Sequence, residues 1–212
     1  MRPDLPLVVA ANRDEFHARP ATRCAWWKDR PEILAGRDLE AGGTWMGVSR
    51  SRRFAAVTNY RGAREARASE SRGALVTGAL LGSAPADFIA GVERRAAEYS
   101  GFNLLVADDT SLWWLSNRGG AARSLSPGIY GLGNTLLDAD EVSDAKGAFA
   151  DVVAATPAIE VLVGVLARWR IVNALYGTRC TTVLLKGERS LRYAERSYSD
   201  DGTEQETLEY GF

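Results

Sequence analysis

Asn12, Arg13, Asp14 and Glu15 follow one another directly behind the apolar run Val8-Val9-Ala10-Ala11. An amide, a guanidinium and two carboxylates delivered to one point can orient an amine, hold a small polar ligand, or pair with one another. None of these groups is buried cheaply unless it finds a partner. Two readings therefore fit: a functional site built at a strand end, or a solvated strand end tied by ion pairs. Other chemistry-bearing residues are sparse. The single histidine, His17, lies on a polar stretch between Phe16 and Arg19; the pattern predicts a solvated side chain, not the anchor of a Ser-His-Asp triad. Cys24 and Cys180 make neither a disulfide framework nor a metal spacing, and Cys24 beside Ala25-Trp26 reads as packing. Gly42-Gly43-Thr44 lacks the lysine and following helix of a phosphate loop and reads as a turn before a strand. Asn59, Asn134 and Arg179 complete the candidates, although asparagine at a strand end is ordinarily a turn former.

Composition excludes several function classes. The chain has 212 residues, 46% of them hydrophobic and 25% charged, with a net charge of -1. That is ordinary for a globular protein of one sizeable domain. It gives no basic field for nucleic acid. The cations are nearly all arginine; Arg64 and Arg67 fall in a Gly/Ala/Ser-rich stretch and read as solvated. No apolar run approaches the roughly 20 residues that span a bilayer. Met1-Arg2-Pro3-Asp4 opens no signal region, and the two cysteines suit a reducing setting. The expectation is a cytoplasmic protein with no membrane span, no nucleic-acid partner, no bound metal and no cofactor.

The elements that must position these residues come in blocks. Strands are predicted over 7–11, 33–35, 44–48 and 54–59, the last two joined by a hairpin at Ser49–Arg52. Helices follow: Ser71 to Leu81, with Leu75, Val76, Ala79 and Leu80 on one face, and a second opened by Pro85 and ended by Gly101. Strands return at 102–107, 112–115 and 129–132, with turns at 108–111 and 125–128. Helical spacing resumes over 141–173, broken by a Thr156 cap and Pro157 at a first helical position, and is closed by Gly177. A hairpin of 181–185 and 191–196 ends the chain, with an acidic turn at 200–206 and an edge strand over 208–212. Blocks of strands and helices, instead of single alternation, argue for α+β over a doubly wound parallel sheet. Trp113 and Trp114 fall on opposite faces of one strand, one in the core and one exposed. With six tryptophans, an aromatic-lined pocket for a flat or lipid-like ligand is the alternative to plain core packing.

Ala10-Ala11-Asn12-Arg13-Asp14-Glu15-Phe16 resembles the signature of the NRDE, or transport and Golgi organisation protein 2, family. The likeness continues in order through Ile33–Asp38, Gly42–Gly47, Phe54–Arg61, Ser71-Arg72-Gly73, Gly101–Leu105, Ser116-Asn117-Arg118, Gly131–Asn134 and Tyr176-Gly177-Thr178-Arg179. The resemblance implies one domain over 1–212 with the four-layer αββα sandwich of N-terminal-nucleophile hydrolases. In such enzymes the first residue attacks an amide and its own α-amino group serves as base. Carried over residue by residue, Asp14 resembles the amine-orienting aspartate, Asn59 and Asn134 the oxyanion-hole pair, and Arg179 the arginine beside the nucleophile, with Asn12 and Arg13 in binding roles. The implied partner is a small-molecule ligand or linear amide substrate. Relatives' links to haem trafficking and lipid metabolism imply the other reading, a non-enzymatic carrier of haem or a lipid-like molecule.

One departure bears on chemistry. Members of the family begin Met-Cys and an apolar strand, and here Met1-Arg2-Pro3-Asp4 stands in that place. Either the true start lies upstream and restores the cysteine, or the protein lacks the nucleophile; as written, the chain is expected to lack it and the first strand, and to be inactive by this route. The stretch between Ala158 and Tyr176 is also shorter than the acidic, proline-containing insert of relatives.

Overall fold

The computed structural model describes residues 4–62, 69–155 and 157–212. The expectations for Met1–Pro3, for Arg64 and Arg67, and for a Thr156 cap lie outside the described residues. In chain order the elements are β1 (Leu7–Phe16), β2 (Ala21–Trp26), β3 (Ile33–Asp38), β4 (Met46–Ser49), β5 (Phe54–Asn59), α1 (Arg72–Leu81), α2 (Pro85–Arg94), β6 (Phe102–Ala107), β7 (Leu112–Ser116), β8 (Arg123–Ser124), α3 (Ser143–Ala155), α4 (Ile159–Leu166), β9 (Tyr176–Lys186), β10 (Leu191–Tyr198) and β11 (Glu204–Gly211). They form two antiparallel sheets and two helix pairs, in two compact units. No helix among the described residues is long and apolar enough to cross a membrane.

The first unit, Met1–Arg23 with Ser143–Phe212, carries the sheet β1-β9-β10-β11. Alternation puts Val183, Leu185 and Ala194 on one face, where they pack with Val8 and Ala10 against Ile159, Leu162 and Val163 of α4. The second unit, Cys24–Val142, is organised on the sheet β2-β3-β4-β5-β6-β7-β8. Its core joins Ile33, Ala55, Leu104 and Leu115 to Leu75, Val76, Ala79 and Leu80 of α1 and to Ile89 and Val92 of α2. The α1 stripe is the one that the spacing predicts, and the Ser71 side chain caps it by accepting from the Gly73 N–H. Gly42 does turn the chain, at φ +76, but Gly43 is required by proximity: a Cβ there would stand 2.5 Å from the Gly73 carbonyl carbon.

Several elements differ from the expectation. Strand β1 does not stop at Ala11: Asn12 to Phe16 continue the ladder opposite Thr181 to Tyr176. The ladder supplies the backbone partners, and local polarity does not override it. Strand β2 has no clear alternating signature in Ala21-Thr22-Arg23-Cys24 and was not expected. Residues 129–132 are not a strand. Gly131 N–H donates to Asp138 Oδ1, Asp138 N–H donates to the Gly131 carbonyl, and Tyr130 OH donates to the Ser126 carbonyl, so this backbone is satisfied within its own loop. α2 ends at Arg94, with a separate 3-10 turn at Ala96–Glu98. Pro157 is not at a first helical position, because Ala158 is the N-cap of α4.

The last helical region ends at Trp169, and Gly177 lies inside β9 instead of closing a helix. The cause is a competing partner. Ile171 N–H donates to Thr178 Oγ1 and its carbonyl accepts from Thr178 N–H, which pulls 171–172 out of helix and onto the start of β9. Glu204 to Glu206, expected as a turn, open the edge strand β11. Neither Trp113 nor Trp114 is exposed: Trp113 packs half-buried on the α1/α2 core, and Trp114 is buried beneath the Arg123 guanidinium.

Candidate functional site

The chemistry of the Asn12–Glu15 stretch is set by one irregularity in the β1/β9 ladder. Arg13 pairs with Cys180, but Asp14 pairs with Thr178, so three residues of β9 oppose two of β1. Arg179 is the extra residue. A bulge of this kind breaks the alternation and re-aims the side chain that it frees. Arg179 Nη1 lies 2.5 Å from Asp200 Oδ1 and 2.5 Å from His17 Nδ1, with a quarter of its side chain exposed.

His17 is therefore not the solvated histidine that its polar surroundings predict. Only 9% of its side chain is exposed, and its other ring nitrogen, Nε2, sits 2.9 Å from the Asn173 carbonyl. An arginine N–H can only donate, so the Arg179 contact takes Nδ1 as acceptor and leaves Nε2 to donate to the Asn173 carbonyl; Nδ1 also stands 3.2 Å from Asp200 Oδ1. Sequence reasoning also missed Asp200, because an acidic tail carries no sign of the bulge it serves.

Asp14 occupies the other side of the irregularity. Its Oδ1 accepts from Thr178 Oγ1 at 2.6 Å, and the same hydroxyl accepts from Ile171 N–H at 2.9 Å. Burial pushes the Asp14 carboxyl above the usual carboxylate range, and the Thr178 hydrogen bond offsets part of that rise. Thr178 lies in the Tyr-Gly-Thr-Arg stretch, where no local pattern marks its bond to Asp14.

Asn12 and Arg13 face different tasks. The Asn12 amide donates to the Leu166 carbonyl at the end of α4, and its oxygen accepts from Thr181 Oγ1, which stands 2.9 Å from Tyr198 OH. This ties strand to helix and engages both ends of the amide. Arg13 is buried, with Glu15 Oε2 3.9 Å away. It and Glu195 both act on the buried Cys180, and burial pushes that thiol well up. Cys24 is also buried, as expected. Neither thiol has the exposed, electropositive setting of a reactive cysteine.

Asn59 and Asn134 belong to the second unit. They are brought together: Asn134 Nδ2 donates to the Asn59 carbonyl at 2.8 Å, and the Asn134 carbonyl accepts from Arg61 N–H. Both are exposed. The loop that carries Asn134 is held by a residue not anticipated, Asn103. Its buried amide donates to Thr58 Oγ1 at 3.1 Å and to the Thr135 carbonyl at 2.8 Å. A cavity of about 430 Å³ in the first unit is lined by Asp144, Ala148, Asp151, Arg168 and Trp169, with one tryptophan in its wall. Among the described residues no group of three or more His, Cys, Asp or Glu stands close enough to hold a metal ion.

Residues 1–171 match the family described as Transport and Golgi organisation 2, and the chain belongs to that family. It is 40% identical over 144 residues to the Transport and Golgi organization protein 2 homolog of Bos taurus, covering 62% of this chain and 51% of that protein. It is 38% identical over 142 residues to the homolog of Homo sapiens, with the same coverage. Against the Transport and Golgi organization protein 2 of Drosophila melanogaster the identity is 29% over 147 residues, covering 61% of this chain and 52% of that protein. The chain thus spans about half the length of the curated relatives it matches.

Proposed function

We propose that the bulged β1/β9 ladder is part of an N-terminal-nucleophile-hydrolase-like site, and that a form of this protein with an N-terminal cysteine cleaves the C–N bond of a linear amide. In this reading residues 1–212 are one family domain of αββα class. The observation that carries it is the bulge itself. It frees Arg179 from strand alternation beside an Asp14 whose carboxyl is half-buried and hydrogen-bonded by Thr178. A carboxylate of that kind can orient an α-amine, and a fixed guanidinium can stabilise a developing anion. The family match from 1 to 171 runs through both units and supports treating them as one domain. Two buried, unbridged cysteines support a reducing, cytoplasmic setting.

The test is made on the native protein. Its intact mass and first residue are determined, and it is then exposed to a thiol-directed acylating probe. An N-terminal cysteine that is acylated, with acylation lost in Asp14→Ala, is the expected result. A native chain beginning at Met1 and unlabelled by the probe overturns the hydrolytic reading.

A second reading, a non-enzymatic carrier of a lipid-like molecule, is supported by the cavity of about 430 Å³ that has Trp169 in its wall. Haem fits less well: both ring nitrogens of the single histidine are engaged, and both thiols are buried.

A further inference from the structure

Asp144, Ala148 and Asp151 of α3 line the cavity of about 430 Å³ in the first unit. Seven residues are two helical turns, so both carboxylates stand on one side of the helix, about 10 Å apart along its axis with Ala148 between them. The rest of the lining is Arg168 and Trp169, from the 3-10 turn Ala167–Trp169 that follows α4. Asp144, Asp151 and Arg168 are exposed and Trp169 is half-buried, so the cavity opens to solvent. Among the described residues neither carboxylate has a hydrogen bond or ion pair. The Arg168 guanidinium lies over the Trp169 ring, 5.2 Å from its centroid.

We propose that this cavity binds a zwitterionic choline phosphodiester, with the quaternary ammonium between Trp169 and the two aspartates and the phosphate on Arg168. The proposal deepens the carrier reading, and rests on it for the acyl chain that a lipid source of this headgroup would bring. Three observations select the chemistry. First, the Trp169 ring already takes a cation on its face. A quaternary ammonium has no N–H to donate, so it is held by an aromatic face and by charge, which Trp169 and the unpaired carboxylates supply. Second, Arg168 makes no ion pair among the described residues. Its planar fork is therefore available to a phosphate, which it can meet with two parallel bonds. Third, the lining charges match only a ligand of both signs. A fatty acid or a haem propionate would meet Asp144 and Asp151 as a like charge. A polyamine would leave Arg168 without a counter-charge, and a sterol would answer none of the three. The cavity volume lies within the range of small-ligand sites. On binding, Arg168 turns from the ring to the phosphate, and the trimethylammonium group takes its place on Trp169.

The experiment is titration calorimetry of the full chain with two sources of the headgroup: glycerophosphocholine, and lysophosphatidylcholine below its micelle concentration. Both are expected to bind. Choline and glycerol phosphate, each carrying half of the headgroup, should bind about tenfold more weakly than glycerophosphocholine. Arg168→Gln and the double variant Asp144→Asn/Asp151→Asn should each weaken glycerophosphocholine about tenfold, the size of one charge-assisted contact. Asp87→Asn, at an exposed carboxylate on α2, should leave binding unchanged. The choline methyl proton signal should move upfield in the complex, over the Trp169 ring, and should stay in place with Trp169→Leu. Unchanged thermal melting of the variants separates lost binding from lost folding. No binding of glycerophosphocholine, equally tight binding of choline alone, or equal loss in Asp87→Asn would each overturn the proposal. Lysophosphatidylcholine bound no more tightly than glycerophosphocholine would leave the headgroup site standing and refute the carrier reading, so the two failures are told apart.

Discussion

Replacing Asn103 tests whether a buried amide fixes the loop that carries Asn134. Asn103 is fully buried, and it donates to the Thr135 carbonyl and to Thr58 Oγ1. Its own Oδ1 has no hydrogen-bond partner among the described residues. In Asn103→Ala two hydrogen bonds are lost, each worth about 1 kcal/mol net. The Thr135 carbonyl loses its donor, at about 1–3 kcal/mol, and removal of the unpartnered Oδ1 returns a similar amount. These two terms roughly cancel. The expected loss of stability is therefore about 2 kcal/mol, plus a smaller cavity term. Asn103→Asp keeps the shape but places acceptors against the Thr135 carbonyl, so it should cost more than the alanine at neutral pH. Its introduced carboxyl, with a folded pKa above its unfolded value, should regain stability as pH falls, because the protonated group binds tighter in the folded state and can donate once. Urea unfolding across pH is the first assay. The second is hydrogen exchange at the Arg61 amide, which donates to Asn134 and should lose protection in both variants. An Asn103→Ala protein within about 0.5 kcal/mol of wild type, with Arg61 still protected, would refute the reasoning.

Three further outcomes are expected. Burial raises the Asp14 pKa, so the folded state holds its proton more tightly than the unfolded chain, and the associated stability is full below about pH 4 and lost as pH rises through the folded value. Asp14→Asn should accordingly gain stability relative to wild type on going from acid to neutral pH, and parallel pH-stability curves would count against a buried carboxylate. The single histidine makes imidazole nitrogen NMR unambiguous: His17 should show the Nε2–H tautomer, and Arg179→Ala should abolish that strict preference; an Nδ1–H signature in wild type would refute the Arg179 contact. Ellman-type labelling of Cys24 and Cys180 should be slow in the folded protein and fast in urea, since both are buried and burial pushes the Cys180 thiol up; rapid native labelling would show that one of them is accessible.

What was legible in the sequence follows from local rules. The α1 stripe Leu75, Val76, Ala79 and Leu80, its Ser71 cap, the turn at Ser49–Arg52 and the β9/β10 hairpin all depend on periodicity and turn chemistry within a few residues. Membership of the Transport and Golgi organisation 2 family was equally legible, because it rests on residue strings. The tertiary structure decided where strands end and where side chains point. β1 runs to Phe16 because β9 is there to satisfy its backbone, and residues 171–172 leave the helix because Thr178 offers them partners. Arg179 reaches His17 and Asp200 because Asp14 pairs with Thr178 while Arg13 pairs with Cys180. That offset of one residue belongs to neither strand alone. It arises from pairing between segments more than 160 residues apart, where hydrogen-bond satisfaction, and not local propensity, selects the register.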